Sequence, residues 1–188
     1  YLIRIIKMLF NKILNISDLN KIFYKKIKKK KVVLCHGVFD MLHIGHLNHF
    51  EESKKFGEVL IVSITTDEFV NKGPNRPVFN ILQRAKLLSG LKVIDYVIIN
   101  NKATAENIIN LIKPDYYIKG KDYKNNKKDI NQNIIKEVNA VQKIGGKIKY
   151  TNSKKIDSSK ILDSFDLIFT DEQKKIITKI RKIFDFKS

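Results

Sequence analysis

Short apolar runs alternate along the chain with longer segments in which apolar residues recur every three or four positions. The short runs are typical of buried strands, and the longer segments are typical of helices that pack on a sheet by one face. The predicted strands are residues 32–35, 59–64, 93–99, 116–118 and 147–150, and the predicted helices are residues 43–56, 82–91, 103–112 and 131–143. This alternation predicts a Rossmann-like α/β fold of flavodoxin-type order, with a parallel five-stranded sheet and helices on both faces.

Both ends of the chain depart from this alternating pattern. The N-terminal end is basic, and Ser17 and Asp18 are placed to cap a helix there. No small-residue cleavage site follows the first apolar residues, so we expect a disordered leader or an interfacial helix rather than a signal peptide. The C-terminal end has the pattern of a basic amphipathic helix. We therefore divide the chain into an N-terminal extension and helix (1–30), a central domain (31–165) and a C-terminal amphipathic helix (166–188).

Composition narrows the class of protein. A chain of 188 residues, of which 43% are apolar, is long enough for one domain with its own core and is too apolar for a disordered protein. No apolar run reaches the ~18 to 20 residues that a membrane-spanning helix needs. The single cysteine, Cys35, excludes an internal disulfide and fits a reducing compartment. We expect a cytoplasmic protein without a membrane partner.

The formal charge of +18 raises the question of a nucleic-acid partner. The lysines are spread over the whole chain, which is typical of a solvated surface, and no aromatic-basic motif of the known RNA-binding modules is present. We therefore expect no nucleic-acid partner. A nucleic-acid-binding module remains an alternative, and it predicts tight, strongly salt-dependent binding. The same charge would concentrate phosphorylated substrates near the protein.

The histidines all lie between the end of the first predicted strand and the following helix: His36, His43, His46 and His49. His43 and His46 are three residues apart, so their imidazoles would share one face at the amino end of that helix, where anions bind. Gly37 and Gly45 would let a phosphate approach the backbone. Two imidazole donors suit nucleotidyl transfer, because negative charge grows on the phosphate oxygens in its transition state. The alternative is a metal site in which His36 or Asp40 joins the pair.

The stretch Gly-x-Phe-Asp-x-x-His-x-Gly-His at residues 37–46 resembles the signature of the cytidylyltransferase-like nucleotidylyltransferase superfamily. That superfamily includes glycerol-3-phosphate cytidylyltransferases and the heptose 1-phosphate adenylyltransferase domain of bifunctional ADP-heptose synthases. Further segments match in the same order: 65–68, 76–84, 93–97, 119–123 and 156–161. The resemblance implies that residues 31–165 are a nucleotidylyltransferase domain. The chain departs from the glycerol-phosphate enzymes at Lys154 and Lys155, which replace an arginine.

The resemblance also implies roles for individual residues. The implied catalytic residues are His43, His46 and Lys72. The implied nucleotide-binding residues are Gly37, Val38, Phe39, Gly45, Gly120, Asp122, Tyr123, Ser158 and Ser159. The implied substrate-binding residues are Asp40, Arg84 and Asp95. For Arg84 two roles remain open, one with a substrate phosphate and one in a structural ion pair.

The implied reaction transfers CMP or AMP from CTP or ATP to a sugar- or polyol-phosphate and releases pyrophosphate, for surface polysaccharide precursors. Residues 73–79 and 117–120 look closer to the heptose-type branch, so an ATP-dependent heptose 1-phosphate adenylyltransferase is the alternative. We expect Mg²⁺ to come with the triphosphate, with no metal held by the protein alone. Family members are commonly homodimers, and some are fused to a sugar kinase. A nucleotide-binding regulator is disfavoured because His43, His46 and Lys72 are intact.

Overall fold

The sheet is parallel throughout in the computed structural model, which describes residues 12–14, 16, 27, 29–71, 76–123, 133–152, 170–173 and 175–176. Within those residues it has six strands: β1 (Ile13–Leu14), β2 (Val32–Gly37), β3 (Val59–Thr65), β4 (Tyr96–Asn100), β5 (Tyr116–Gly120) and β6 (Lys147–Thr151). The main helices of the same part of the chain are α1 (Ile44–Lys54), α2 (Ile81–Gly90), α3 (Glu106–Ile112) and α4 (Asn133–Lys143). The strand order across the sheet is β1-β4-β3-β2-β5-β6.

Two predictions about the sheet are wrong. The described residues form six strands instead of five, because Ile13 and Leu14 of the N-terminal extension pair with Val97 and Ile98 of β4. A two-residue strand is too short to show a period in the sequence. The order is also not of the flavodoxin type, since the five longer strands run 3-2-1-4-5 when numbered along the chain. Both orders bury both faces of a parallel sheet, so the hydrophobic pattern alone does not separate them.

Each face of the sheet is covered by one pair of helices. On one face, α1 and α2 contribute Phe50, Ala85 and Leu88 to a core with the alternate residues of β2 and β3. On the other face, α3 and α4 contribute a second group of buried side chains: Ile108, Ile109, Ile112, Ala140 and Val141. Every residue of β3 is buried, as expected for a central strand with helices on both sides. Full burial of each large apolar side chain stabilises the fold by about 1.5 to 3 kcal/mol.

The strand order creates a cleft at the carboxyl edge of the sheet. The chain leaves β2 through α1 to reach β3 on one side, whereas β5 lies on the other side of β2. Neighbouring connections therefore diverge at the ends of β2 and β5, which is where ligands bind in sheets of this kind. Gly37 ends β2 and Gly120 ends β5, so the loops that follow these glycines begin at this edge of the sheet.

The two predicted terminal helices lie mostly outside the described residues. Ile27 of the predicted helix that begins at Ser17 is described, and it is buried in the core. Thr170 and Gln173 exchange backbone and side-chain hydrogen bonds, as residues at a helix start do. In the described part of the chain, no helix combines the length and the apolar character needed to cross a membrane.

Candidate active site

The loop between β2 and α1 has an unusual backbone. Phe39 and Met41 both have a φ of 50°, in the left-handed region that costs a non-glycine residue about 1 to 3 kcal/mol. His43 is extended and is the N-cap residue of α1, without a side-chain bond to the helix amides. The first amides of a helix point out of its end, and in α1 the His46 amide already donates to the His43 carbonyl at 2.9 Å. An anion at the start of α1 would therefore bind the amides of Ile44 and Gly45.

The imidazoles of His43 and His46 stack on one another at this helix start. Their ring centroids are 3.9 Å apart with planes inclined by 27°. The ring of Phe39 stands edge-on to His46 at 5.6 Å and also packs against Phe50 of the core. The prediction that the two histidines share one face is confirmed. Their catalytic roles remain predictions, and the contacts show only that both rings are held in place together.

The two glycines of the signature have different surroundings. A Cβ atom on Gly37 would lie 3.1 Å from the ring of Phe39, so glycine lets that ring fold back against the end of β2. Gly45 is buried in the first turn of α1. Gly37 therefore serves the packing of Phe39, a reason that differs from the phosphate approach expected from the sequence.

Asp40 is committed to contacts within the chain. It is buried, and its carboxylate accepts hydrogen bonds from the amides of Val78 and Phe79 at 3.0 and 3.1 Å. The same carboxylate forms an ion pair with Arg76 at 2.8 Å. These bonds join the loop after β2 to the segment that leads into α2. The substrate-binding role expected for Asp40 remains a prediction, but the observed contacts are those of a structural carboxylate.

Arg84 binds the same two segments and also the end of β3. Its guanidinium is fully buried and donates to the carbonyls of Phe79, Val38 and Thr65 at 2.9, 2.6 and 2.8 Å. It also pairs with Asp67 at 2.5 Å. Of the two roles left open by the sequence, the structure therefore supports the structural ion pair. The preceding residue, Gln83, completes a capping box that starts α2.

Asp95 lies at the other edge of the sheet from the paired histidines. It precedes β4 and is therefore at the amino edge, about 16 Å from the carboxyl end of that strand at ~3.3 Å per residue. Its carboxylate accepts a hydrogen bond from the amide of Leu60 at 2.7 Å and forms an ion pair with Lys54. The substrate-binding role expected for Asp95 remains a prediction, but the observed contacts are those of a carboxylate that closes the turn into β4.

A buried polar cluster under the carboxyl edge was not predicted from the sequence. Glu137 of α4 accepts hydrogen bonds from the Tyr117 hydroxyl at 2.8 Å and the Ala105 amide at 3.1 Å, and pairs with Lys119 at 2.9 Å. His36 lies 3.9 Å from the same carboxylate and 3.2 Å from the Ser63 hydroxyl. One sequence signal was present: Glu137 stands on the apolar face of α4, beside Ile134, Ala140 and Val141.

Electrostatics sets the charge state of this cluster. Burial and the nearby Lys119 lower the pKa of His36 to about 4, against the opposing effect of Glu137, so His36 is neutral at pH 7. Burial alone would raise the pKa of Glu137, but Lys119, His36 and the hydrogen bonds outweigh it and lower that pKa. The carboxylate is therefore charged and faces the Lys119 ammonium.

The end of β5 brings part of the predicted nucleotide site to the cleft. Gly120 ends β5 opposite Thr151 of β6, and a 3₁₀ turn at 121–123 follows it. Tyr123 is exposed in this turn, and the Lys119 ammonium lies 4.9 Å from the centroid of its ring. Four predicted site residues have no described side chain: Lys72, Asp122, Ser158 and Ser159. Their placement relative to the histidines stays a prediction.

The end of β6 also reaches α1. The ring of His49 hydrogen-bonds to the Thr151 hydroxyl at 2.8 Å, and the Glu52 carboxylate accepts from the amide of Asn152 at 3.0 Å. The helix that starts with the paired histidines therefore contacts the ends of both β2 and β6. Among the described residues no group of three or more His, Cys, Asp or Glu side chains is arranged to hold a metal ion.

The chain is similar to a known protein family and to several curated proteins. A family model described as cytidylyltransferase-like matches residues 34–164, which include the end of β2, the paired histidines and the end of β5. Among curated proteins, the bifunctional protein HldE of Campylobacter concisus is 38% identical over 152 residues, covering 80% of this chain and 32% of that protein. HldE of Nitratiruptor is 39% identical over 120 residues, covering 63% of this chain and 26% of that protein. The chain therefore spans a third or less of these relatives.

Solved structures share the fold. The lipopolysaccharide core biosynthesis protein from Thermoplasma volcanium superimposes with a TM-score of 0.53 at 29% identity, covering 68% of this chain and 99% of that one. A pantoate-beta-alanine ligase from Francisella tularensis superimposes with a TM-score of 0.56 at 19% identity, covering 94% of this chain and 81% of that one. At that identity, the second likeness shows the fold alone.

Proposed function

Since the chain belongs to the cytidylyltransferase-like family, whose members are nucleotidyltransferases, we propose that its carboxyl-edge site transfers a nucleotidyl group to a phosphorylated sugar or polyol. The observation that carries the proposal is the stacked pair of His43 and His46 at the start of α1, inside the matched region. The donor is a nucleoside triphosphate, and pyrophosphate is the second product.

The arrangement of the histidines supports this chemistry. A phosphate oxygen of the acceptor attacks the α-phosphorus, and the bond to the oxygen that bridges to the β-phosphate breaks, so pyrophosphate leaves with the electron pair. Ring N–H groups of His43 and His46 donate to the phosphate oxygens on which charge grows. The amides and the dipole at the start of α1 attract the same charge. Phe39 keeps the ring of His46 in place by its edge-on contact.

Mg²⁺ is proposed to enter with the triphosphate. The alternative metal site with Asp40 is disfavoured, because that carboxylate already binds Arg76 and two backbone amides. A bound Mg²⁺ supplies positive charge that offsets the charge of the leaving pyrophosphate. We expect EDTA to abolish turnover and added Mg²⁺ to restore it. Turnover that continues in EDTA would contradict the proposed need for Mg²⁺.

The relatives favour ATP and a heptose 1-phosphate as the substrates within this class. The sequence resemblance at residues 73–79 and 117–120 is to the heptose-type adenylyltransferases, and the curated relatives are HldE proteins. The structural relative from Thermoplasma volcanium carries the name of a lipopolysaccharide core biosynthesis protein, which supports a role in surface polysaccharide. Transfer of CMP from CTP to another sugar- or polyol-phosphate is the second choice.

The curated relatives are much longer than this chain, which suggests that a further domain or protein acts with it. They are bifunctional proteins of which this chain spans a third or less, so we propose that a sugar kinase works together with this domain. A homodimer and a cytoplasmic location also remain proposals. The first rests on the family resemblance, and the second rests on the single cysteine, which fits a reducing compartment.

The experiment that tests the proposal is a pyrophosphate-release assay with Mg²⁺. ATP and CTP are each paired with a panel of sugar 1-phosphates, including heptose 1-phosphates, and of polyol phosphates. Release that needs one nucleotide and one acceptor would identify both. No release from any pair, with no binding of either nucleotide by calorimetry, would contradict the proposed function.

A further inference from the structure

The ion pair between Lys119 and Glu137 has no part in the transfer chemistry described above, yet it lies directly under the cleft. Its charged atoms are 2.9 Å apart, and both side chains are more than nine-tenths buried. Removing two charges from water costs more than their attraction returns unless the geometry is good, so an apolar pair of similar volume would often give a more stable protein. The pair therefore needs an explanation other than stability.

Glu137 is held from several directions and so fixes the position of Lys119. The Tyr117 hydroxyl and the Ala105 amide both donate to its carboxylate, at 2.8 and 3.1 Å. Lys119 also donates to the carbonyl of His36 at the end of β2, at 3.5 Å. The ammonium is thus anchored to α4 and to both strands that border the cleft.

The Lys119 ammonium also lies over two aromatic rings, that of the buried Tyr117 at 5.4 Å and that of Tyr123 at 4.9 Å from the ring centroids. Both distances are within the range of a cation–π contact, and the nearer ring, that of Tyr123, belongs to the 3₁₀ turn that follows β5. The side chain of Tyr123 is 43% exposed, so part of the ring is open to solvent. An aromatic ring held in place at a nucleotide-binding edge is a surface on which a base can stack.

We propose that Glu137 is a positioning residue, which acts through Lys119 to hold Tyr123 as the stacking surface for the base of the nucleoside triphosphate. The inference rests on the proposed function only in taking a nucleoside triphosphate as the ligand. It explains why a charged pair is buried at this edge: a directional contact to the ring needs a fixed ammonium, which an apolar side chain does not supply.

The test compares binding of ATP and CTP with binding of tripolyphosphate, which has phosphates but no base, by calorimetry without an acceptor. The variants are Tyr123→Leu, Glu137→Gln and the combination of the two. A fourth variant, Lys119→Met with Glu137→Gln, removes both charges and keeps an acceptor for Tyr117 and Ala105, and a fifth adds Tyr123→Leu to this charge-free pair. The fourth and fifth variants replace those with Glu137→Gln alone if the unpaired Lys119 prevents folding. The matched control is Lys54→Met, which breaks an ion pair at the opposite edge of the sheet.

We expect Tyr123→Leu and the charge-free pair each to weaken binding of the preferred nucleotide about tenfold and to leave tripolyphosphate binding unchanged. Because Glu137 acts through Tyr123, adding Glu137→Gln or the charge-free pair to Tyr123→Leu should weaken binding no further. Lys54→Met should bind both ligands as the original protein does.

Three results would overturn the inference: unchanged nucleotide binding in Tyr123→Leu, equal losses for nucleotide and tripolyphosphate, or additive effects of the two sets of substitutions. Failure here is distinguishable from failure of the proposed function. A protein that shows the expected binding pattern but releases no pyrophosphate would keep the inference and lose the transfer reaction. A protein that releases pyrophosphate but shows additive effects of the substitutions would keep the transfer reaction and lose the inference about Glu137.

Discussion

The two edges of the sheet use similar residues for different purposes. At the amino edge, Asp95 binds the Leu60 amide and Lys54, and Asp115 binds the Val32 amide at 2.7 Å. These carboxylates close turns and start strands. At the carboxyl edge, Asp40 and Arg84 bind the backbone of two loops, and the imidazoles of His43 and His46 stack beside the cleft.

The comparison suggests that charged residues at one edge of the sheet stabilise the fold, whereas those at the other edge serve the proposed reaction. At the amino edge each of these carboxylates binds the backbone at the start of a strand. At the carboxyl edge the buried Asp40 and Arg84 hold the loop that leads to the paired histidines and the segment that leads into α2. Polar residues at the first edge should therefore affect stability alone, and those at the second edge should affect catalysis directly or through the loops.

Removing an imidazole should have the largest effect. We expect His43→Ala or His46→Ala to lower kcat by roughly two to four orders of magnitude, as the loss of a donor to a developing oxyanion does. The measurement is steady-state pyrophosphate release at saturating substrates, with circular dichroism to show that the fold is retained. Full activity in both variants would contradict the claim that the carboxyl edge carries the catalytic residues.

Loss of the Arg84 clamp should act on stability first. Arg84→Met leaves three carbonyls without their buried donor, whereas the partly exposed Asp67 keeps the hydrogen bond from the Ile81 amide, so we expect unfolding to need about 2 to 4 kcal/mol less. Urea denaturation followed by circular dichroism measures this loss. A loss below about 1 kcal/mol would show that the clamp does not hold the two loops together.

The neutral state of His36 predicts a dependence of stability on pH. Its folded pKa of about 4 lies below its unfolded value, so the unfolded chain binds more protons between pH ~6.5 and ~4. The free energy of unfolding should therefore fall by up to about 3 kcal/mol as the pH drops through that window. Denaturation of the original protein and of His36→Gln at pH 7 and pH 5 measures the effect, since Glu137 begins to matter only at lower pH. Equal slopes in the two proteins would contradict the proposed charge state.

Breaking the amino edge should have the smallest effect. Asp95→Asn weakens a half-exposed ion pair with Lys54, and we expect it to lower the free energy of unfolding by about 1 kcal/mol. Its kcat and both KM values, measured well below the melting temperature, should stay within about twofold of the original. A large rise in the KM for the acceptor alone would return Asp95 to the substrate site.

Sequence reasoning worked where a periodic pattern or a long motif was present. The burial of β2 and β3 is readable from their apolar runs, and the shared face of His43 and His46 follows from their spacing. It did not place Asp95 at the amino edge, because a motif match gives a position along the chain and does not say at which edge of the sheet that position falls.

The remaining failures have the same origin in long-range contacts. Strand β1 is defined by its pairing with β4, far away in the chain, and by no pattern of its own. The role of Glu137 cannot be predicted from the sequence, because its partners Lys119 and His36 are on β5 and β2, far from α4 along the chain. Contacts of this kind depend on the strand order, and the hydrophobic pattern does not determine that order.

The most direct test of nucleotidyl transfer at the carboxyl edge follows the phosphorus atoms. The protein is incubated with Mg²⁺, an acceptor phosphate and triphosphate labelled at either the α- or the γ-phosphorus, and the products are separated. The account predicts that α-label joins the acceptor and that γ-label appears in pyrophosphate, with both signals appearing at least about a hundredfold more slowly in His46→Ala. Transfer of γ-label to the acceptor, or transfer of α-label at the original rate without His46, would contradict it.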